Sequence, residues 1–227
     1  VNTIKLTSKG DMVNASGKVV ANNGIQLTST HGGVTNTKKG IVYSEGDVTV
    51  KAQGTVRNDN SQFSAKKNMA VESVAGIENG EKGVIEGKGD VTIKYSAVFV
   101  NHGNLISEGE MIVKDESDLG QLSGQFSGQF NNKGQISSGK LMQIGAYQID
   151  NAGQIDSNGV IQITSRGGGT NNTGKIQSNT DLIVNNETTL SNSGSLLAVN
   201  TIKLTSKGDM VNASGKGVAN NGIQLTS

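Results

Sequence analysis

The chain has 227 residues with 32 Gly, 25 Asn, no Pro, no Cys and no Trp, so Gly and Asn make up a quarter of it while aromatic residues supply only 3 %. A hydrophobic content of 33 % is thin for one round core, yet 17 % charged residues, a net charge of +1 and recurrent Val, Ile and Leu argue against disorder, and the absence of Pro and of a three-residue period excludes collagen. Twenty Lys+Arg against 19 Asp+Glu disfavour nucleic acid or an anionic membrane as partner, and no run of about 18 apolar residues is present to insert as a membrane-spanning helix.

The first residues do not read as a signal peptide, and a chain without Cys must find any extracellular stability without disulfides. Val1–Ser29 returns at Val199–Ser227 with an offset of 198 residues and one difference, Val19 against Gly217. The expected organisation is one unit over 1–198, with 199–227 the start of the next, stacked continuously on it.

A shorter repeat runs through both. With Ile155 of the string IDSNGVIQI as position 0, position 0 holds Val19, Val42, Phe63, Ile85, Leu105, Ile136, Ile155, Ile176, Leu196 and Gly217. Position 6 holds Ile25, Val48, Met69, Val91, Met111, Met142, Ile161, Leu182, Ile202 and Ile223. Position 8 holds Leu27, Val50, Val71, Ile93, Val113, Ile144, Ile163, Val184, Leu204 and Leu225. Spacings are 19 to 23 residues, except for 31 between Leu105 and Ile136. An Asn punctuates each turn, at Asn14, Asn36, Asn58, Asn79, Asn101, Asn131, Asn151, Asn171, Asn192 and Asn212. Two residues before it lies an apolar site that fails at Gln129 and Gly169.

Positions 6 and 8, two apart with a polar residue between, face one side of a strand. Short strands with Gly or Asn at the corners and a period near 21 must coil so that turns stack about 4.8 Å apart. The predicted fold is all-β: a three-faced parallel β-helix (solenoid) of about ten rungs, right-handed by the general preference of parallel connections. Stacked Asn amides can hydrogen-bond from rung to rung, and Asn tolerates the left-handed backbone a corner needs; Gly beside it is expected to serve the same purpose. Gly217 removes a core side chain, which predicts a small cavity or a shifted neighbour.

The rung G-x-I-x-S-x-G-x-I-x-I followed by N-x-G, present as GQIDSNGVIQI (Gly153 to Ile163) and GNLISEGEMIV (Gly103 to Val113), resembles the filamentous haemagglutinin repeats of two-partner-secreted exoproteins. That group includes bacterial adhesins, some haemolysins and the contact-dependent growth inhibition exoproteins. The resemblance covers the whole chain. It implies a filament outside a Gram-negative cell, exported through an outer-membrane secretion partner; the family's secretion and toxin domains have no counterpart here.

Chemistry-bearing residues are sparse. The two histidines, His31 and His102, lie three rungs and roughly 14 Å apart along the rod and cannot share a metal. Outward carboxylates stand at position 5 (Asp47, Asp90, Glu110, Asp181) and position 3 (Glu45, Glu108), and Asp90, Glu108 and Glu110 should lie within about 5 to 8 Å of one another. They could hold calcium or a sugar, or form a charge ladder with Lys88. Lys38-Lys39 and Lys66-Lys67 fall at different places on the rung and read as solvated lysines, and position 7 lacks the Thr array ice binding needs. One insertion breaks the period: between Val113 and Asn131 the chain pulses as Gly120-Gln121-Leu122-Ser123, Gly124-Gln125-Phe126-Ser127 and Gly128-Gln129-Phe130-Asn131. Such loops are where solenoids carry binding function.

The expected function is a non-enzymatic shaft segment of a secreted surface exoprotein, with no cofactor or metal, that mediates cell contact or presents a toxin or receptor-binding tip. Its partners would be neighbouring β-helical repeats. The alternative makes the unit itself a receptor- or glycan-binding module through Gln121, Leu122, Gln125, Phe126, Gln129 and Phe130. A third reading is a polysaccharide-degrading enzyme with Asp90, Glu108 and Glu110 at its site.

Overall fold

The computed structural model describes residues 2–116 and 128–227. These form 29 strands and no helix, and the strands stack in parallel as a β-solenoid of about ten turns. Each turn has three faces. An asparagine face carries strands such as Val34–Thr37 and Val98–Asn101; a short face carries Ile41–Ser44 and Asn104–Ser107; a long face carries Asp47–Ala52 and Met111–Asp115. The short faces make a ten-stranded sheet. The other two merge into one of nineteen strands, because Met142–Asn151 and Ile161–Asn172 run unbroken around the corner between them.

Register follows the periodic positions. Ile85 pairs with Phe63 below and Leu105 above, Val91 with Met69 and Met111, and Ile93 with Val71 and Val113. The 31-residue gap is absorbed, since Leu105 still pairs with Ile136 and Met111 with Met142. Across the repeat seam the ladder continues: Leu182 pairs with Ile202 and Leu196 with Gly217. Where Val19 is replaced by Gly217, the δ-methyl of Ile223 lies 3.3 Å from the place a Cβ would take, so the neighbour leans into the space.

In the middle rungs the core columns are closed to solvent. Val48, Phe63, Ile93, Leu105 and Ile155 have no exposed surface, whereas Leu225 is 66 % exposed. Two further inward columns run along corners, mostly of Ser and Ala, with Tyr95, Asp115 and Asn186 among them. Ser107 donates to the Gly89 carbonyl at 2.9 Å, Ser178 to Gly159 at 2.8 Å, Ser29 to Gly10 at 2.8 Å and Ser73 to Gly54 at 2.8 Å. Each hydroxyl thereby ties its corner to the main chain of the rung below.

Truncation in a closed column should be costly and at the open end cheap. Ile93→Ala is expected to lower unfolding free energy by about 2–5 kcal/mol, and Leu225→Ala by less than about 0.5 kcal/mol, in urea denaturation followed by circular dichroism.

Candidate functional site

Asparagine side chains on one face point into the rod and form a continuous ladder. Nδ2 of Asn14 donates to Oδ1 of Asn36 at 2.8 Å, and the links continue through Asn58, Asn79 and Asn101. Beyond the insertion the ladder passes to Asn132, Asn151, Asn172, Asn192 and Asn212 with links of 2.7–2.9 Å. The amides from Asn36 to Asn192 are buried. Each Nδ2 also reaches a corner carbonyl, such as Gly40 for Asn36 and Gly103 for Asn101.

Two rungs differ from the sequence expectation. Asn131 and Asn171 are not in the ladder: Asn132 and Asn172 are, and the side chains of Asn131 and Asn171 face outward. Alternation explains the shift by one residue. With Asn132 and Asn172 as members, the inward site two residues earlier is Phe130 and Thr170, both buried, instead of Gln129 and Gly169. The signal was present: Asn132-Lys133-Gly134 and Asn172-Thr173-Gly174 keep the N-x-G spacing that Asn131 and Asn171 break.

The conformational reason for the Asn also needs correction. Ladder asparagines lie in or beside strands, and none has positive φ. Among non-glycine residues that conformation belongs to Ser16, Lys38, Lys39, Asn60, Lys82 and Ser214, which follow the Asn in the wider corners. In the tighter corners the residue two after Asn is Gly for a different reason. A Cβ on Gly134 would stand 2.1 Å from the Gly103 carbonyl oxygen, and one on Gly153 2.2 Å from that of Gly134. Glycine is there because stacked corners touch.

Of the six residues expected to contact a partner, Gln121, Leu122, Gln125 and Phe126 lie outside the described residues. Gln129 is exposed. Phe130 is not a surface anchor: it has no exposed surface and stacks on Phe99 at 5.4 Å between ring centroids, with Tyr95 5.8 Å from Phe99 on the other side. The parity that brings Asn132 inside brings Phe130 with it.

The base of the insertion is built around a buried carboxylate. Asp115 occupies an inward corner position and pairs with Tyr95 below. Its Oδ2 accepts from the Gly128 amide at 3.1 Å, and Arg166 donates to its main-chain carbonyl at 2.8 Å, with a guanidinium nitrogen 3.7 Å from Oδ2. Burial, and then the Asp115 charge, push the Tyr95 phenol well above the usual tyrosine value, against an opposing pull from Arg166. The Tyr95 hydroxyl has no hydrogen-bond partner among the described residues.

Three of the outward carboxylates act on the main chain. Asp47 accepts from the Asn68 amide at 3.0 Å, Asn68 from Asp90 at 2.9 Å, Asp90 from Glu110 at 2.9 Å and Asp181 from Thr201 at 3.1 Å, so these position 5 side chains cap the main chain of the next rung. Glu108 pairs with Lys88, which also meets Glu86 at 2.9 Å; these hydrogen bonds raise the Lys88 pKa above the usual lysine range. Glu45 pairs with the Tyr43 hydroxyl. Among the described residues no group of three His, Asp or Glu side chains is arranged to hold a metal. His31 and His102 are exposed, as are Lys38, Lys39, Lys66 and Lys67.

The haemagglutinin repeat family matches at residues 1–38, 20–85, 63–123, 120–168 and 166–227, so its overlapping matches run the length of the chain. No curated protein and no solved structure matches.

Two outcomes follow from this geometry. Asn101→Ala leaves Nδ2 of Asn79 and Oδ1 of Asn132 without ladder partners and should destabilise by about 2–4 kcal/mol, whereas Asn131→Ala and Asn171→Ala should stay within about 0.5 kcal/mol of the parent in urea titrations. Tyr95 ionises near pH 10 when unfolded and higher when folded, so above that pH the unfolded state holds fewer protons and stability falls as pH rises. Tyr95→Phe should be neutral or stabilising by up to about 1 kcal/mol at pH 7, and should lose stability less steeply than the parent between pH 9 and 11 (about one unit either side of the free phenol).

Proposed function

Because the chain belongs to the haemagglutinin repeat family, we propose that it is a non-enzymatic shaft segment of a secreted exoprotein displayed on a Gram-negative cell, holding an adhesive or toxic tip at a distance and so mediating cell contact. The observation that carries this reading is the unbroken rung-to-rung continuity of main-chain pairing, core columns and Asn ladder, including across the seam where Val1–Ser29 is repeated as Val199–Ser227. Nine rungs separate Val19 from Gly217, so each 198-residue unit contributes roughly 43 Å of rod. Length is then set by unit number, and stiffness is shared because each interior rung is held by two neighbours.

Capping by Asp47, Asp90 and Asp181 and pairing of Glu108 give the outward acids structural work, which supports the shaft over the polysaccharide-degrading enzyme. Burial of Phe130 removes one of the two aromatic anchors on which the insertion reading rested.

Adding one extra copy of residues 1–198 to the chain is expected to lengthen the rod by about 43 Å in electron micrographs, with the rung spacing unchanged. In the parent exoprotein, removing one unit should leave secretion and display intact and shorten the reach of cell contact. Deleting residues 117–127, which spares Phe130, should leave target-cell binding unchanged; loss of binding would transfer the function to the insertion. Release of reducing ends from oligosaccharides in the presence of calcium would restore the enzyme reading.

A further inference from the structure

The long face changes character just above the base of the insertion. Its outward position 9 runs Thr28, Lys51, Glu72, Lys94, Lys114, Gly145, Thr164, Asn185 and Thr205 in successive rungs, so Gly145 alone leaves a gap in a column of side chains. A concavity of about 280 Å³ opens there, lined among others by Lys114, Gln143, Gly145, Gln162, Thr164 and Arg166. Conformational strain does not explain the glycine: it has no positive φ, and a Cβ would meet only the Lys114 side chain, at 3.8 Å.

The lining has a definite chemistry. Lys51 and Lys94, lower in the column, are paired with Glu72 and Glu116 at 2.8 Å, but Lys114 makes no ion pair among the described residues, and its stem lies alongside the gap. Arg166 is engaged with the buried Asp115, and Lys114 brings a further positive charge to the concavity. Nε2 of Gln143 donates to Oε1 of Gln162 at 3.0 Å, which fixes both amides with an acceptor on Gln143 and a donor on Gln162 still to offer.

A lysine with no ion pair among the described residues, two oriented amides and a threonine hydroxyl together fit a ring bearing vicinal hydroxyls and one carboxylate. The volume lies at the bottom of the usual range for small-molecule sites, about 300–1,000 Å³, which is room for one sugar residue. We propose that this concavity is a binding site for a single carboxylate-bearing sugar residue, with Lys114 taking the carboxylate and Gln143, Gln162 and Thr164 the hydroxyls. The site is on the rod wall and does not depend on the shaft reading.

The test is an amide-resolved NMR titration of the 227-residue chain with D-glucuronate, D-glucose and acetate in parallel. Glucuronate is expected to shift Gln143, Gly145, Gln162 and Thr164, with glucose and acetate each at least about tenfold weaker. Gly145→Leu fills the outward gap without touching a core column and should abolish the response. Lys114→Gln should weaken glucuronate about tenfold and leave glucose unchanged. Absence of glucuronate shifts at these residues, their persistence in Gly145→Leu, or an equal response to acetate would each overturn the proposal.

Discussion

Stacking at a fixed spacing governs this molecule. Parallel pairing puts every residue about 4.8 Å from its counterparts in the rungs above and below, so the environment of a side chain is largely its own column. Aliphatic columns exclude water only if every rung contributes, as Val48, Met69, Val91 and Met111 do in sequence. A buried polar column needs partners in the adjoining rungs, a condition that the lone Tyr95 hydroxyl does not meet among the described residues. Asparagine meets that condition because its amide is both donor and acceptor, and Ser meets it by reaching a corner carbonyl.

The same constraint decides where the chain can vary. Between the long face and the asparagine face, one corner is made by Tyr147 and Gln148 alone, while the corresponding corner of another rung comprises residues 116–129. The columns on either side stay in register through both, since Asp115 still stands above Tyr95 and Phe130 above Phe99. Asp115 is the unusual element of this arrangement. Its carboxylate receives the Gly128 amide while Arg166 reaches its carbonyl, so the two ends of the long corner are tied to the rod by charge-assisted contacts, at a position that Tyr95 fills in the rung below.

Much of this architecture was legible in the sequence because hydrophobic period and register are the same quantity in a solenoid. Positions 0, 6 and 8 can be read from any rung, and the structure pairs them as spaced. The failures arose where two adjacent residues were chemically equivalent. Asn131-Asn132 and Asn171-Asn172 each offer two candidates for one inward site, and choosing the first turned Phe130 outward by parity. The role of the position 5 acids was hidden for another reason. Their partners are backbone amides one rung away, which carry no signature in side-chain spacing. The gap at Gly145 was equally silent, since one Gly among 32 is distinguished only by what stands above and below it.

All nine links of the asparagine ladder run the same way: Nδ2 belongs to the earlier rung and Oδ1 to the later one. The rod therefore has an arrow. A chain that coils from its amino-terminal side always presents a waiting donor at its leading end, and each incoming turn answers with an acceptor of matching height. Growth in that sense is templated one turn at a time. A turn laid down out of phase meets a buried donor with nothing to receive it, so a register error is exposed at the rung where it occurs.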